Sequence, residues 1–286
     1  MMPDQAAALR QLKEMMDRQA AEQTPTGETF LATLPVTTPF TTILLLMPED
    51  QSQSLPPMQK WLPRFFQNPR KACLWDEGGY LPAKLALSEQ ASANLLSPMQ
   101  QLETPHGPIW VIPRFGRLGN LTNEPEVDRI RFLKQAHHAL SSIQELWITL
   151  SNRDVHRNHP IVASADLAAL MLPFHPNSLL RGYEIVKTLH LAKFVNPIGI
   201  LVEQAGAGTS TDDLFQRLQA TAKRFLSLDL QFGGVVHSQE RADSDIPSTP
   251  LQTMLNSASP LPRTFLTRFA DHVLFPHPSL TGGTHG

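Results

Sequence analysis

What most constrains this chain is an alternation. From residue 42 onward, short apolar runs are separated by longer stretches with helical spacing. The runs read as strands at 42–47, 72–75 (ACLW), 109–113 (IWVIP), 146–150 (LWITL), 167–173 (LAALMLP), 198–204 (IGILVEQ) and 230–236 (LQFGGVV). A continuous apolar run suits a strand buried on both faces of a parallel sheet. Between them, helices are predicted around 57–67 and at 126–143, 178–194, 211–227 and 262–274. In 126–143, Val127, Ile130, Phe132, Leu133, Ala136 and Leu140 fall near one face. Thr211 and Asp212 are placed to cap 211–227. Strands alternating with helices imply an α/β fold, a mostly parallel sheet with helices on both faces.

The first strand raises a chemical question. In phosphate-binding α/β proteins it is followed by glycines, whose backbone wraps a phosphate, and then by a lysine. Here it is followed by Pro48, Glu49 and Asp50, and no glycine occurs again before Gly78. The 25 prolines against 15 glycines fit stiff loops rather than phosphate loops. With 286 residues, 41% hydrophobic and 17% charged, the chain is globular, with one large α/β domain or two small ones. A net charge of −2 provides no global field for nucleic acid or acidic lipid. The lone cysteine, Cys73, excludes an intrachain disulfide framework. No signal pattern and no membrane-spanning run is evident, so a soluble, cytoplasmic protein is expected.

Residues 4–19, DQAAALRQLKEMMDRQ, read as a helix with Leu9, Leu12, Met15 and Met16 in one stripe. The small, polar stretch 19–29 reads as a tether. The expected organisation is an N-terminal helix (1–18), a linker (19–30), a main domain (31–276) and a disordered tail (277–286).

Several stretches, in order, resemble the FlhG/FleN family, a branch of the MinD/ParA-type P-loop ATPases. DQAAALRQL resembles that family's N-terminal DQA-x-x-LR motif, and ETPHGPIWVIP (103–113) its TPHG segment and following strand. The stretch 163–189 resembles a strand, a PEPTS turn and a helix, with Pro176, Asn177 and Ser178 at the turn. The stretch 213–236 resembles the late helix and strand. The resemblance runs from residue 4 to about 274. It implies a MinD-like sheet behind a tethered N-terminal helix. It also implies that the helix docks on an FlhF-like GTPase of the signal-recognition-particle type and stimulates GTP hydrolysis. Gln5 would then order the attacking water, donating and accepting through one amide. Asp4, Ala6, Leu9 and Arg10 would belong to the docking surface.

The departures fall on the nucleotide machinery. The family loop K-G-G-x-G-K-[ST] has no counterpart after Met47, and the pair Glu49 and Asp50 would repel ATP. Asp76 is all that remains of an Asp-rich turn after the second strand. Where the family carries a magnesium-side aspartate, WITLSNRD offers Thr149, with Asp154 several residues late. The expectation is a pseudo-ATPase without cofactor, acting as a regulator or adaptor of bacterial flagellar placement or number. Besides the GTPase, its expected partners are a true MinD/FlhG-type ATPase or a basal-body or transcriptional component, and not nucleic acid. The expected location is the cytoplasm, at a pole or the inner-membrane surface. The rival readings are a working ATPase with an atypical loop, and a MinD-like scaffold in another polar or secretion system.

Three other features have simpler structural readings. EQAGAGTSTDD (203–213) follows a strand and precedes a helix, but lacks a lysine and ends in acids, so it reads as an ordinary loop and cap. His137, His138, His156 and His159 lack ligand spacing, and adjacent helical histidines diverge by about 100°. In the last helix, Phe265 and Phe269 form a stripe beside Arg268, which suits either a membrane-surface helix or packing on the sheet. Acidic Asp271 and the short length favour packing.

Overall fold

The computed structural model describes residues 26–33, 40–47, 62–66, 71–80, 100–104, 107–112, 118–173, 175, 177–204, 211–237, 253–254 and 265–275. Strand β1 (Thr41–Met47) explains the architecture best, because residues 42–47 are all buried. A strand with no wettable face belongs in the middle of a covered sheet. It pairs in parallel with β5 (Glu145–Ser151) on one side and β6 (Leu167–Leu172) on the other.

Beyond β5 come β2 (Ala72–Trp75) and β4 (Ile109–Ile112), both parallel, then β3 (Gln100–Leu102), which is antiparallel to β4. Beyond β6 come β7 (Ile198–Gln204) and β8 (Gln231–His237), both parallel, with a bulge at the β7–β8 pairing. The sheet has eight strands in the order β3-β4-β2-β5-β1-β6-β7-β8. It is therefore the mostly parallel α/β sheet that the alternation predicts.

Among the described residues the helices are α1 (Gly27–Thr33), α2 (Glu126–Leu140), α3 (Asp154–Arg157), α4 (His159–Ser164), α5 (Ser178–Leu191), α6 (Thr211–Leu226) and α7 (Phe265–Leu274). Successive strand residues point to opposite faces. Leu44 and Leu46 accordingly join one core with Phe132 of α2, Leu189 of α5, Leu218 of α6 and Phe269 of α7. Ile43, Leu45 and Met47 join a second core on the opposite face. Among the described residues, that face is covered by the 3-10 turn Leu62–Phe65, Phe66 and Met254.

Every strand expected from an apolar run is present. The structure differs at four places. The helix expected around 57–67 is described only from 62, as a 3-10 turn, where Pro63 removes a backbone donor. β3 was not expected, because QQL at an exposed edge needs no apolar run. The short helices α3 and α4 follow β5 directly where no periodicity can build up. Residues 27–30, assigned to the linker, are part of α1. Phe30 is buried there, and the Gly27 amide donates to Glu126 Oε1 at 2.6 Å. One aromatic anchor in a polar stretch has no pattern to reveal it. The helix at 4–19, residues 48–50 and the tail at 277–286 lie outside the described residues.

Candidate functional site

The strand order reverses beside β1. The chain leaves β1 towards β2 on one side, and leaves β6 towards β7 on the other. In open α/β sheets the crevice outside the carboxyl ends of the strands at such a point is where ligands bind. Here that edge is formed by Met47 of β1, the turn after β2, and Thr149 to Ser151 of β5.

The turn at 76–80 is laced across this edge. Asp76 and Glu77 are both buried. The Thr149 hydroxyl donates to Asp76 Oδ1 at 2.7 Å, and the Tyr80 amide donates to the same oxygen at 3.0 Å. The Gly78 amide donates to both the carbonyl and the hydroxyl of Thr149, at 3.0 and 3.1 Å. The Tyr80 hydroxyl reaches over to donate to the Met47 carbonyl at 3.2 Å. The Asp76 amide donates to the Ile112 carbonyl at 2.8 Å. One five-residue turn thus ties together the ends of β2, β4, β5 and β1. Gly78 makes this possible. A Cβ there would lie 2.2 Å from Tyr80 Cε2, so a larger residue would have to push the ring out of this position.

Two residues singled out in the sequence, Asp76 and Thr149, are brought into direct contact. Asp154 is not part of the cluster; it opens α3 and accepts a hydrogen bond from the Ser151 hydroxyl at 2.7 Å. Gly78 and Tyr80 join the cluster without having been singled out in the sequence. Their signal was a glycine pair directly before an aromatic, DEGGY, at the end of a strand. Pro48, Glu49 and Asp50, and with them Asp4, Gln5, Ala6, Leu9 and Arg10, lie outside the described residues.

The groups described at this edge bond to one another. The Asp76 carboxylate collects donors from its own chain, and the last carbonyl of β1 is capped by a tyrosine hydroxyl. Among the described residues, no group of three or more His, Cys, Asp or Glu is placed to hold a metal ion. Burial pushes the Cys73 thiol far above its usual range, with a hydrogen bond to the Ile112 backbone acting weakly the other way. It therefore stays protonated and is no nucleophile. Thr149→Val keeps the shape but leaves Asp76 without its hydroxyl donor and Gly78 without one acceptor. It is expected to cost about 1–3 kcal/mol of stability in urea denaturation, while Thr149→Ser costs less.

The last helix packs on the sheet, the placement that Asp271 and its short length favour. Phe265 and Phe269 are each 1% exposed, stacked on one another and packed into the sheet's larger core. Arg268 points inward as well. Its guanidinium donates to the Ser164 carbonyl and pairs with Asp166 Oδ1 at 2.5 Å. Of the two placements the stripe suits, packing is the one seen, with α7 against α4 and α2. Among the described residues, no helix is long and apolar enough to cross a membrane.

No protein-family model and no curated protein matches the chain. Solved structures do. The chain is similar to the MinD cell division protein of Aquifex aeolicus, with 12% identity and a TM-score of 0.47, over 82% of this chain and 97% of that one. It is similar to a plasmid partition protein of Borrelia burgdorferi, with 13% identity and a TM-score of 0.45, over 72% of this chain and 93% of that one. It is also similar to a ParA family ATPase of Chlorobium tepidum, with 12% identity and a TM-score of 0.43, over 82% and 98%.

Proposed function

We propose that this chain is a non-catalytic protein on a MinD/ParA-like scaffold, of the FlhG type. In this reading it regulates bacterial flagellar placement or number by engaging an FlhF-like GTPase through Asp4, Gln5, Ala6, Leu9 and Arg10. The observation that carries the non-catalytic half is the laced turn. The Tyr80 hydroxyl bonds to the Met47 carbonyl, and the Asp76 carboxylate beside it is engaged by the Thr149 hydroxyl and the Tyr80 amide, so the groups described at these strand ends are partnered within the chain. The sequence adds support, because Pro48, Glu49 and Asp50 provide no phosphate-binding glycine or lysine. The motif DQAAALR supports the partner half.

The test has two arms. In isothermal titration, the full chain is expected to give no heat with ATP and magnesium. A micromolar dissociation constant would overturn the non-catalytic reading in favour of a working ATPase. In a GTP hydrolysis assay with an FlhF-like GTPase, the full chain is expected to accelerate turnover and Gln5→Ala to remove the acceleration. Equal rates with wild type, variant and buffer would remove the GTPase from the proposal and leave a scaffold of another system.

A further inference from the structure

Helix α5 (Ser178–Leu191) has a face that the fold leaves unused. Gly182, Ile185, Val186 and Leu189 are buried on its sheet side. A helix turns by about 100° per residue, so its opposite side carries Leu180, Glu184, Lys187 and Leu191 in one stripe. All four are exposed, the two leucines at 60% each. Steps of four, three and four residues keep the stripe nearly parallel to the helix axis, as in the seam of a coiled coil. Among the described residues, neither Glu184 nor Lys187 has an ion-pair partner. Two unpaired charges thus stand between two exposed leucines.

The helix that presents the stripe is held at both ends and in the middle. At its start the Ser178 hydroxyl donates to the Pro173 carbonyl. Gly182 lets α5 lie close on the sheet, because a Cβ there would come within 2.6 Å of Leu172 Cδ2. Past its end the chain turns at Lys193 in the left-handed conformation (φ 58°). The amides of Lys193 and Phe194 donate to the carbonyls of His190 and Leu189, each at 3.0 Å, and Phe194 is buried. A partner therefore meets a backbone that needs little ordering.

The order of residues in the stripe identifies what fits it. Leucine, glutamate, lysine, leucine is its own complement when reversed. We propose that α5 is the seam of a homodimer, in which two copies of this chain pair antiparallel along this stripe. The two-fold axis runs level with the bond between Ile185 and Val186. It sets Leu180 against Leu191 of the second copy, and Glu184 against Lys187 of the second copy. A two-fold axis repeats every contact, so each leucine and each charge of both stripes finds a partner. A parallel copy would set glutamate against glutamate and lysine against lysine, which is repulsive. The apolar surface also continues beside the seam. Tyr183 meets Phe225 of α6 edge-on, with ring centres 6.4 Å apart, and Phe225 is 63% exposed. The same axis brings this flank of both copies to one side. A seam one helix wide buries less than a standard interface of about 1,600 Å², so the dimer is weak and concentration-dependent.

The experiment is sedimentation velocity on the full-length chain over a range of concentrations, without nucleotide. Wild type is expected to show a reversible monomer–dimer equilibrium. Glu184→Lys and Lys187→Glu should each weaken association by about tenfold or more, because each reversal turns two attractions into two repulsions. Mixed in equal amounts, the two variants should associate at least as well as wild type, since every lysine of one then faces a glutamate of the other. Both positions are exposed, so the thermal midpoint of each variant should stay near that of wild type. A wild-type chain that stays monomeric up to about 1 mM overturns the proposal and leaves the stripe to an unlike partner. Single variants that dimerise like wild type overturn it too, as does a mixture of the two that stays monomeric. None of these outcomes depends on ATP binding or on the GTPase assay.

Discussion

Arg268→Ala is expected to destabilise the chain by about 3–5 kcal/mol, read as a lower urea midpoint at unchanged slope. The reason is what the guanidinium leaves behind. The side chains of Arg268 and Asp166 are 15% and 10% exposed. Asp166 lies just ahead of β6, where its Oδ2 accepts from the Thr42 amide at 2.8 Å while its Oδ1 takes Arg268. The Arg268 Nε also donates to the Ser164 carbonyl at 3.1 Å. One side chain on α7 thus holds the end of α4, the entry to β6 and the entry to β1 together. Removing it strands a carboxylate in a nearly dry place, and that desolvation, more than the lost contact, sets the size of the effect. The double variant Arg268→Met with Asp166→Asn is therefore expected to recover part of the loss, because no lone charge remains. A loss below about 1 kcal/mol for Arg268→Ala would mean that water reaches the pair and screens it, as at an ordinary surface bridge.

The same residue shows what the sequence can and cannot say. Arg268 beside Phe265 and Phe269 fits the period of a helix with one apolar face. The period says that the face will be covered and is silent about what covers it. The strands were legible because both of their faces are apolar. β1 and β6 are so uniformly buried that their runs admit no other placement. β3 and α1 were not, because each rests on few residues at an edge. At the strand ends, Asp76 and Thr149 were legible one at a time. Their contact was not, since the two are 73 residues apart and meet only because β2 and β5 are neighbours in the sheet. Gly78 was harder still. Its reason is the ring of Tyr80 lying where a Cβ would be, a fact of packing to which DEGGY gives only an indirect pointer.

Phe269→Ala is expected to cost a further 3–5 kcal/mol by itself, the range for a large aromatic removed from a core that cannot collapse around the gap. Phe269 stacks on Phe265, with ring centres 5.5 Å apart and planes 6° from parallel, and meets Phe132 of α2 edge-on at 6.3 Å. Phe132 in turn lies 6.3 Å from Trp75, the last residue of β2 and the neighbour of Asp76. The gap would open between a helix, a second helix and the sheet, each held by other contacts, so little relaxation is available to fill it. Phe269→Leu, which keeps most of the volume, should lose less. Phe269→Glu is the sharper experiment. If the residue packs as described, burying a carboxylate there should abolish the cooperative transition. Were α7 instead a helix that lies on lipid, Phe269→Glu would leave the fold intact and release the chain from anionic vesicles. A variant that still melts cooperatively near the wild-type temperature would therefore refute the packing of α7 against α2.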